Sequence, residues 1–496
     1  DSGHARVYNL IKLTNSVPIT SNVSAATLKN TIANIHLVAS DLDFDALTYS
    51  IVSEPTNGTA SLSGDTVTYT PNTDFLGTDT FSFKVNDGSD DSETKTVTIT
   101  VFNRYLSSAT QIGQQIDGEA GSGNSGTSVS YSSDGNIVAI GASVSDGNGT
   151  DSGHVRIFKN IDNTWIQLGE DIDGESAGDQ SGSSVSLSSD GKTVAIGAKF
   201  NDGNGLESGH VRIYNYNGTS WIQLGNDMDG KTSDDRFGYS VSLSSDGKIV
   251  AIGAPNNDSP FMSRTGYVRI YNYNGNVWSR LGADINGESL NDEFGSSVSL
   301  SSDGKTVAIG AVNNNNGNGA GAGHVRIYNY NGNVWSKLGT DIDGESASDN
   351  SGYSVSMSSD GKTVAIGATS NGGNLIRSGH VRVYKYDATS WTQLGSDIDG
   401  EAVNNSSGYS VSLSADGKTV AIGAPYNDGN GTNSGHVRVY KYDGTSWTQL
   451  GLDIDGEAAQ DTFGRAVSLS SDGTKVAIGS PSNTGNVKFY NLIKST

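Results

Sequence analysis

The residues best equipped for chemistry are carboxylates in a recurring segment. It reads Asp171-Ile-Asp173-Gly-Glu175 and returns as Asp341/Asp343/Glu345, Asp397/Asp399/Glu401 and Asp453/Asp455/Glu457. Weaker copies are Gln115/Asp117/Glu119, Asp227/Asp229/Lys231 and Asp284/Asn286/Glu288. Clustered Asp, Glu and Asn oxygens are hard ligands, and calcium is the cofactor they suggest. The same oxygens can instead cap turns by accepting backbone N–H bonds. Asp41, Asp43 and Asp45, with Asn86 and Asp87, form a second acidic group open to both uses.

Histidine offers less. Six of the seven histidines (4, 154, 210, 324, 380, 436) occupy one repeated position, and the seventh is His36. Residues copied in this way favour packing. A catalytic triad needs one histidine with unique partners, and none stands out. The chain therefore reads as non-enzymatic. Trp165, Trp221, Trp278, Trp335, Trp391 and Trp447 are also periodic, with Ala109 in the seventh slot. They suit blade-covering aromatics or, alternatively, a stacking platform for sugars.

These residues sit in a repeat of about 56 residues. Its Asp-Gly turn has Asp at 134, 190, 246, 303, 360, 416 and 472, which makes seven copies. Each copy holds four runs of period-2 alternation. In the second full copy these are Ser184–Ser188, Thr193–Ala198, His210–Tyr216 and Trp221–Leu224. No window has helical period, so the reading is all-β. Ser-Asp-Gly-Lys between the first two runs is a tight hairpin. Four short strands per copy, seven times, predict a seven-bladed β-propeller with four-stranded blades. Loops after strands two and four then share one face, which collects the acidic segment and variable Asn/Gly loops such as Asn201-Asp-Gly-Asn-Gly.

Residues 13–103 break the pattern. Short alternating runs (Ile35–Val38, Leu47–Val52, Ala60–Leu62, Val67–Tyr69, Thr80–Val85, Thr94–Val101) predict a β-sandwich. Residues 1–12 match the third strand of a repeat, and 107–119 match a fourth strand and the loop after it. The expected organisation is a stray propeller strand at 1–12, an inserted sandwich at 13–103 and the propeller at 104–496. The insertion follows a third strand, so it is expected on the face opposite the acidic loops. The last copy lacks a fourth strand, so 107–116 should close the ring. That leaves residues 3–10 as one third strand too many. It could add at a blade edge, compete with 485–491, or pair with a second copy of the chain by strand addition.

Two resemblances follow from particular words. Ala-Ser-Asp-Leu-Asp-Phe-Asp-Ala-Leu-Thr-Tyr-Ser (39–50), the segment 57–71 and Phe-Lys-Val-Asn-Asp-Gly (83–88) resemble bacterial cadherin-like or Ig-like domains. Those domains serve as spacers and adhesive units, often calcium-stiffened. Phe-Gly-Tyr-Ser-Val (237–241) and Val-Ala-Ile-Gly-Ala-Pro (250–255) are similar to the FG-GAP repeats of integrin α-chain propellers and their bacterial relatives. One departure matters: the loop that wraps calcium in that family is here only Ser-Ser-Asp-Gly-Lys, too short to carry the family's sites over.

Composition narrows the partners. The net charge of −23 disfavours nucleic acid and anionic membranes. There is no cysteine, which excludes a disulfide scaffold. No apolar run reaches the ~18 residues of a membrane-spanning helix, so no membrane insertion is expected. A start on Asp1 suggests a processed or excised piece. The expectation is an extracellular or surface-attached adhesion or recognition module that binds a surface protein or glycan through propeller loops. The alternatives are a lectin, or a structural subunit joined by strand exchange.

Overall fold

The structure is a computed structural model that describes residues 15–43, 45–73, 75–102, 109–119, 123–257, 264–372, 376–482 and 485–492. The chain divides into two compact units between Leu106 and Ser107. Both are all-β, with no helix among the described residues.

In the larger unit one sheet recurs. In blade 2, Ser181–Leu187, Thr193–Ala198, His210–Tyr216 and Trp221–Gln223 are antiparallel neighbours in that order. The pattern of side chains explains the burial. Val194 and Ile196 face one neighbouring blade and Ala195 the other, and all three are essentially inaccessible. Burying each larger aliphatic side chain is worth roughly 1.5–3 kcal/mol. The hairpin Asp is a turn cap: Asp190 Oδ1 accepts from Ser188 Oγ (2.7 Å) and Lys192 N (3.0 Å), and Asp134, Asp246, Asp303, Asp360, Asp416 and Asp472 do the same in their copies.

The outer strand differs from expectation. It is split, with Met228–Asp229 pairing separately to the start of the third strand (His210↔Asp229, Val211↔Met228). Gly225, in the left-handed region at φ +74°, lies at the break. A side chain there would meet the Trp278 indole of the next blade, 3.1 Å from a built Cβ.

Among the described residues seven such sheets occur, blades 1 to 7 in chain order with first strands starting at Ser125, Ser181, Ser240, Phe294, Ser351, Ser410 and Ala466, and hydrogen bonds close them into a ring. Ser133 N donates to Ser189 O, Ser189 N to Ser245 O, Ser245 N to Ser302 O and Ser302 N to Ser359 O. Ser359 N then donates to Ala415 O, Ala415 N to Ser471 O, and Ser471 N back to Ser133 O, all at 2.8–3.0 Å. The closing blade joins the two ends of the described part of the larger unit. Its third strand, Asn486–Asn491, pairs with Lys475–Ser480 on one side. On the other it pairs with Thr110–Gln111 and Ile116–Asp117. Residues 486–491 thus fill the third-strand slot. The stray strand at 3–10, and the junctions that would make the sandwich an insertion, lie outside the described residues.

The smaller unit packs a four-stranded sheet (Val23–Leu28, Lys95–Phe102, Gly77–Asn86, Thr48–Ser53 in spatial order) against a three-stranded one (Ala33–His36, Thr66–Pro71, Gly58–Ser63). Leu37, Tyr69, Phe81, Phe83, Val97 and Ile99 lie at its core. Sequence reading missed Val23–Leu28, which pairs in parallel with the Lys95–Phe102 strand. It also missed the buried Asp79, whose carboxylate accepts from Tyr69 Oη (2.8 Å), Asn57 N (2.9 Å) and Thr56 N (3.1 Å).

Candidate functional site

The acidic segment and the loop between strands two and three meet at one face of the propeller. Asn204 Nδ2 donates to Gly230 O (2.9 Å), and Asn148, Asn318 and Asn430 make the same bond to Gly174, Gly344 and Gly456. Yet the segment does not act as one cluster. It crosses from one blade to the next, so its first and last carboxylates serve different junctions. Asp171 joins Glu119 and His154, whereas Glu175 joins His210 and Asp227. Glu345 with His380 and Asp397, and Glu401 with His436 and Asp453, repeat the set.

Several expected ligands fall outside these sets. Asp173, Asp343 and Asp399 use their main-chain carbonyls as acceptors for Arg212, Arg382 and Arg438 of the next blade, at 2.6–2.7 Å. Burial, with Asp453 beside it, pushes the Asp455 carboxyl up. Asp341 is held by Arg326 (2.9 Å) and Lys337 (2.5 Å), and Glu457 by Lys488 (2.5 Å). Asp87 caps a turn, accepting from Ser89 N and Asp90 N at 2.7 Å.

The sets serve as clasps between blades. Glu175 reaches Arg212 (3.5 Å), Glu345 reaches Arg382 (3.5 Å), Glu401 reaches Arg438 (3.2 Å), and Glu288 pairs with Arg326. The junction of blades 2 and 3 gives the clearest case. There Lys231 stands in the place of Glu and Tyr267 in the place of His. Lys231 Nζ lies 2.7 Å from Asp284 Oδ2 and 3.7 Å from the centre of the Tyr267 ring. The junction is kept with its charges rearranged. Burial, with Arg212 adding to it, lowers the His210 pKa to about 4, so that imidazole is neutral at physiological pH.

As donor sets, two carboxylates and one buried imidazole suit a borderline divalent ion such as zinc better than calcium, which takes oxygen alone. An arginine already faces the glutamate. The oxygen-only set is Asp41, Asp43 and Asp45, whose ligand atoms lie within 4.8 Å of one another. Asp41 Oδ1 accepts from Asp43 N (2.8 Å), and Asp41 Oδ2 is buried with no hydrogen-bond partner among the described residues. This orphaned oxygen fits a cation better than a simple turn cap.

The tryptophans are also clasps. Trp221 Nε1 donates to Leu168 O of the preceding blade (2.7 Å), and the indole packs on Tyr216 at 5.2 Å. Trp278, Trp335, Trp391 and Trp447 repeat both contacts.

The two ends of the central channel differ. At the hairpin end, the lining is Leu187, Leu243, Leu300, Met357, Leu413, Leu469 and Tyr131 with a ring of serines, close to sevenfold repetition. At the other end the symmetry is broken. The residue after the first-strand glycine is Thr127, Ser183, Tyr239, Ser296, Tyr353, Tyr409 or Arg465. The residue after the second strand is Lys199 in one blade and small or proline in most others. Lys199 Nζ lies over the rings of Phe200 (5.1 Å) and Tyr239 (5.4 Å), and Arg465 over Tyr409 (5.1 Å). Tyr409 in turn packs on Tyr353 (4.8 Å) and edge-on to Tyr426 (6.0 Å). Sequence reading had pointed to the loops of this face but missed these residues. Their signal is bulky or cationic side chains in repeat columns that are otherwise small.

Two protein-family models match parts of the chain. The bacterial Ig domain family matches residues 15–100. The FG-GAP repeat family matches residues 172–214, 286–328 and 398–440. No curated protein matches the chain. Among solved structures, a putative 6-phosphogluconolactonase from Bacteroides uniformis is 13% identical, with a TM-score of 0.48 over 69% of this chain and 89% of its own. The periplasmic gluconolactonase of Pseudomonas aeruginosa is 14% identical, with a TM-score of 0.46 over 84% of this chain and 97% of its own. The β-propeller domain of the trilobed protease from Pyrococcus furiosus is 11% identical, with a TM-score of 0.43 over 74% of this chain and 97% of its own. The chain thus carries a bacterial Ig domain and, within its propeller, three segments that match the FG-GAP repeat.

Proposed function

We propose that this chain is a non-enzymatic recognition module of an extracellular or surface protein, and that it holds its ligand at the loop-bearing mouth of the propeller channel. One observation carries the reading. Around a ring whose strands and clasps are nearly identical from blade to blade, the side chains that differ most converge on that mouth. Variation on a rigid scaffold is how binding surfaces are built. The non-enzymatic part is supported by the histidines, which are repeated, buried and engaged between blades. Bacterial Ig and FG-GAP domains are typical of surface proteins, which supports the location. The set Asp41, Asp43 and Asp45 supports calcium as a stiffening ion of the Ig domain.

The test is to probe arrays of glycans and surface proteins with the full chain and with Thr127→Trp, which fills the mouth. The expected result is a set of ligands lost in the variant. Binding that survives with the mouth filled would overturn the proposal.

A further inference from the structure

The mouth contains a cavity of about 360 Å³, within the usual range of small-ligand sites. It opens over blade 1, where the first-strand residue is the small Thr127. Lys199 of blade 2 stands on one side and Arg465 of blade 7 on the other. Between them the lining offers the hydroxyls of Thr127 and Ser143 and the amides of Asn124 and Gln180. No carboxylate lines the cavity among the described residues. In a chain of net charge −23, a site with two cations and no acid stands against the overall field. Neither Lys199 nor Arg465 has an ion-pair partner among the described residues, whereas nearby Arg236 is neutralised by Glu207 (3.1 Å). Burial, with Arg236 and Arg465 close by, lowers the Lys199 pKa, a cost that a bound anion would relieve.

We infer that this cavity binds an acidic saccharide, its carboxylate or sulfate group held between Lys199 and Arg465. The inference rests on the recognition reading above and names its ligand class. Arginine and lysine supply charge-assisted bonds to such a group. The hydroxyl and amide lining matches sugar hydroxyls. Tyr239 and Tyr409 lie beneath the two cations, at 5.4 and 5.1 Å from ring centre, and help to hold them in place. A peptide would call for an open sheet edge or an apolar groove, and this cavity instead sets two cations, hydroxyls and amides around its lining.

The test is calorimetric titration of the full chain with oligogalacturonate, its methyl ester, a sulfated disaccharide, a glutamate-rich peptide and inorganic sulfate. Binding of oligogalacturonate or the sulfated disaccharide is expected, weakening at least tenfold in the ester, in Lys199→Met and in Arg465→Met, and largely retained in Arg465→Lys. Lys337→Met, on the outer strand, is the control and should bind as the parent does. Saccharide binding indifferent to esterification and to both methionine variants would overturn the acidic-sugar inference. So would binding of the peptide alone, or of sulfate alone. In those cases the mouth reading survives if Thr127→Trp still abolishes binding. If Thr127→Trp leaves binding intact, the recognition reading itself fails.

Discussion

The close approach of neighbouring blades makes a sharp prediction at the second-strand glycines. A methyl group built on Gly197 would lie 2.1 Å from the Gly238 carbonyl oxygen of the next blade and 2.4 Å from Ser184 Oγ. The oxygen is main-chain and cannot swing aside. To reach the ~3.3 Å of a close carbon–oxygen contact, blade 3 must withdraw by about 1.2 Å. That shift would break the bond from Ser184 Oγ to Gly238 O (2.8 Å), costing about 1 kcal/mol. Overpacking adds about 1–3 kcal/mol. Gly197→Ala should therefore destabilise the propeller by about 2–4 kcal/mol. Gly317→Ala is the control, because its added methyl meets nothing within 4 Å and its backbone is not left-handed. Guanidinium unfolding followed by tryptophan fluorescence reads both. A Gly197→Ala midpoint equal to that of Gly317→Ala would refute the argument that blade spacing demands glycine.

Other expectations follow from the clasps and the closure. Lys231→Glu places like charge beside Asp284 and should cost about 1–2 kcal/mol at low salt; adding Tyr267→His, which recreates the junction used elsewhere, should recover part of it. The lowered histidine pKa sets a pH dependence. The unfolded imidazole takes its proton near pH 6.5, whereas folded His210 does so near 4, so stability is full above about pH 7 and falls as pH drops through 6.5 toward 4. In His210→Gln that slope should be shallower in urea titrations between pH 7 and 5, and an unchanged slope would reject the assignment. Ile116, buried in the closing blade, should cost about 2–4 kcal/mol as Ile116→Ala. Calcium should raise the thermal transition of the Ig domain in the parent chain but not in Asp41→Ala; no heat on titrating the parent with calcium would sink that site.

The blade was legible in sequence because its parts are local. Thr193–Ala198 and His210–Tyr216 were read with the bounds the structure shows, since strict alternation and an Asp-Gly hairpin leave little freedom. The split of the outer strand was not legible. Met228–Asp229 is too short to show a period, and only its pairing to His210 and Val211 reveals it. The acidic segment misled for a related reason. Asp171 and Glu175 are four residues apart in sequence, yet they serve different blade junctions.

Sequence by itself determined the repeat, the all-β architecture, the need for a strand at 107–116 to close the ring, and the Ig-like domain. All rest on patterns repeated within one chain. Only the tertiary structure decided which side chains meet. Lys199, Arg465, Tyr239 and Tyr409 come from four different blades and span 267 positions from Lys199 to Arg465 (465 minus 199, inclusive). Closing the ring brings blade 7 beside blade 1, so that Lys199 and Arg465 line one cavity while Tyr239 and Tyr409 lie beneath the two cations.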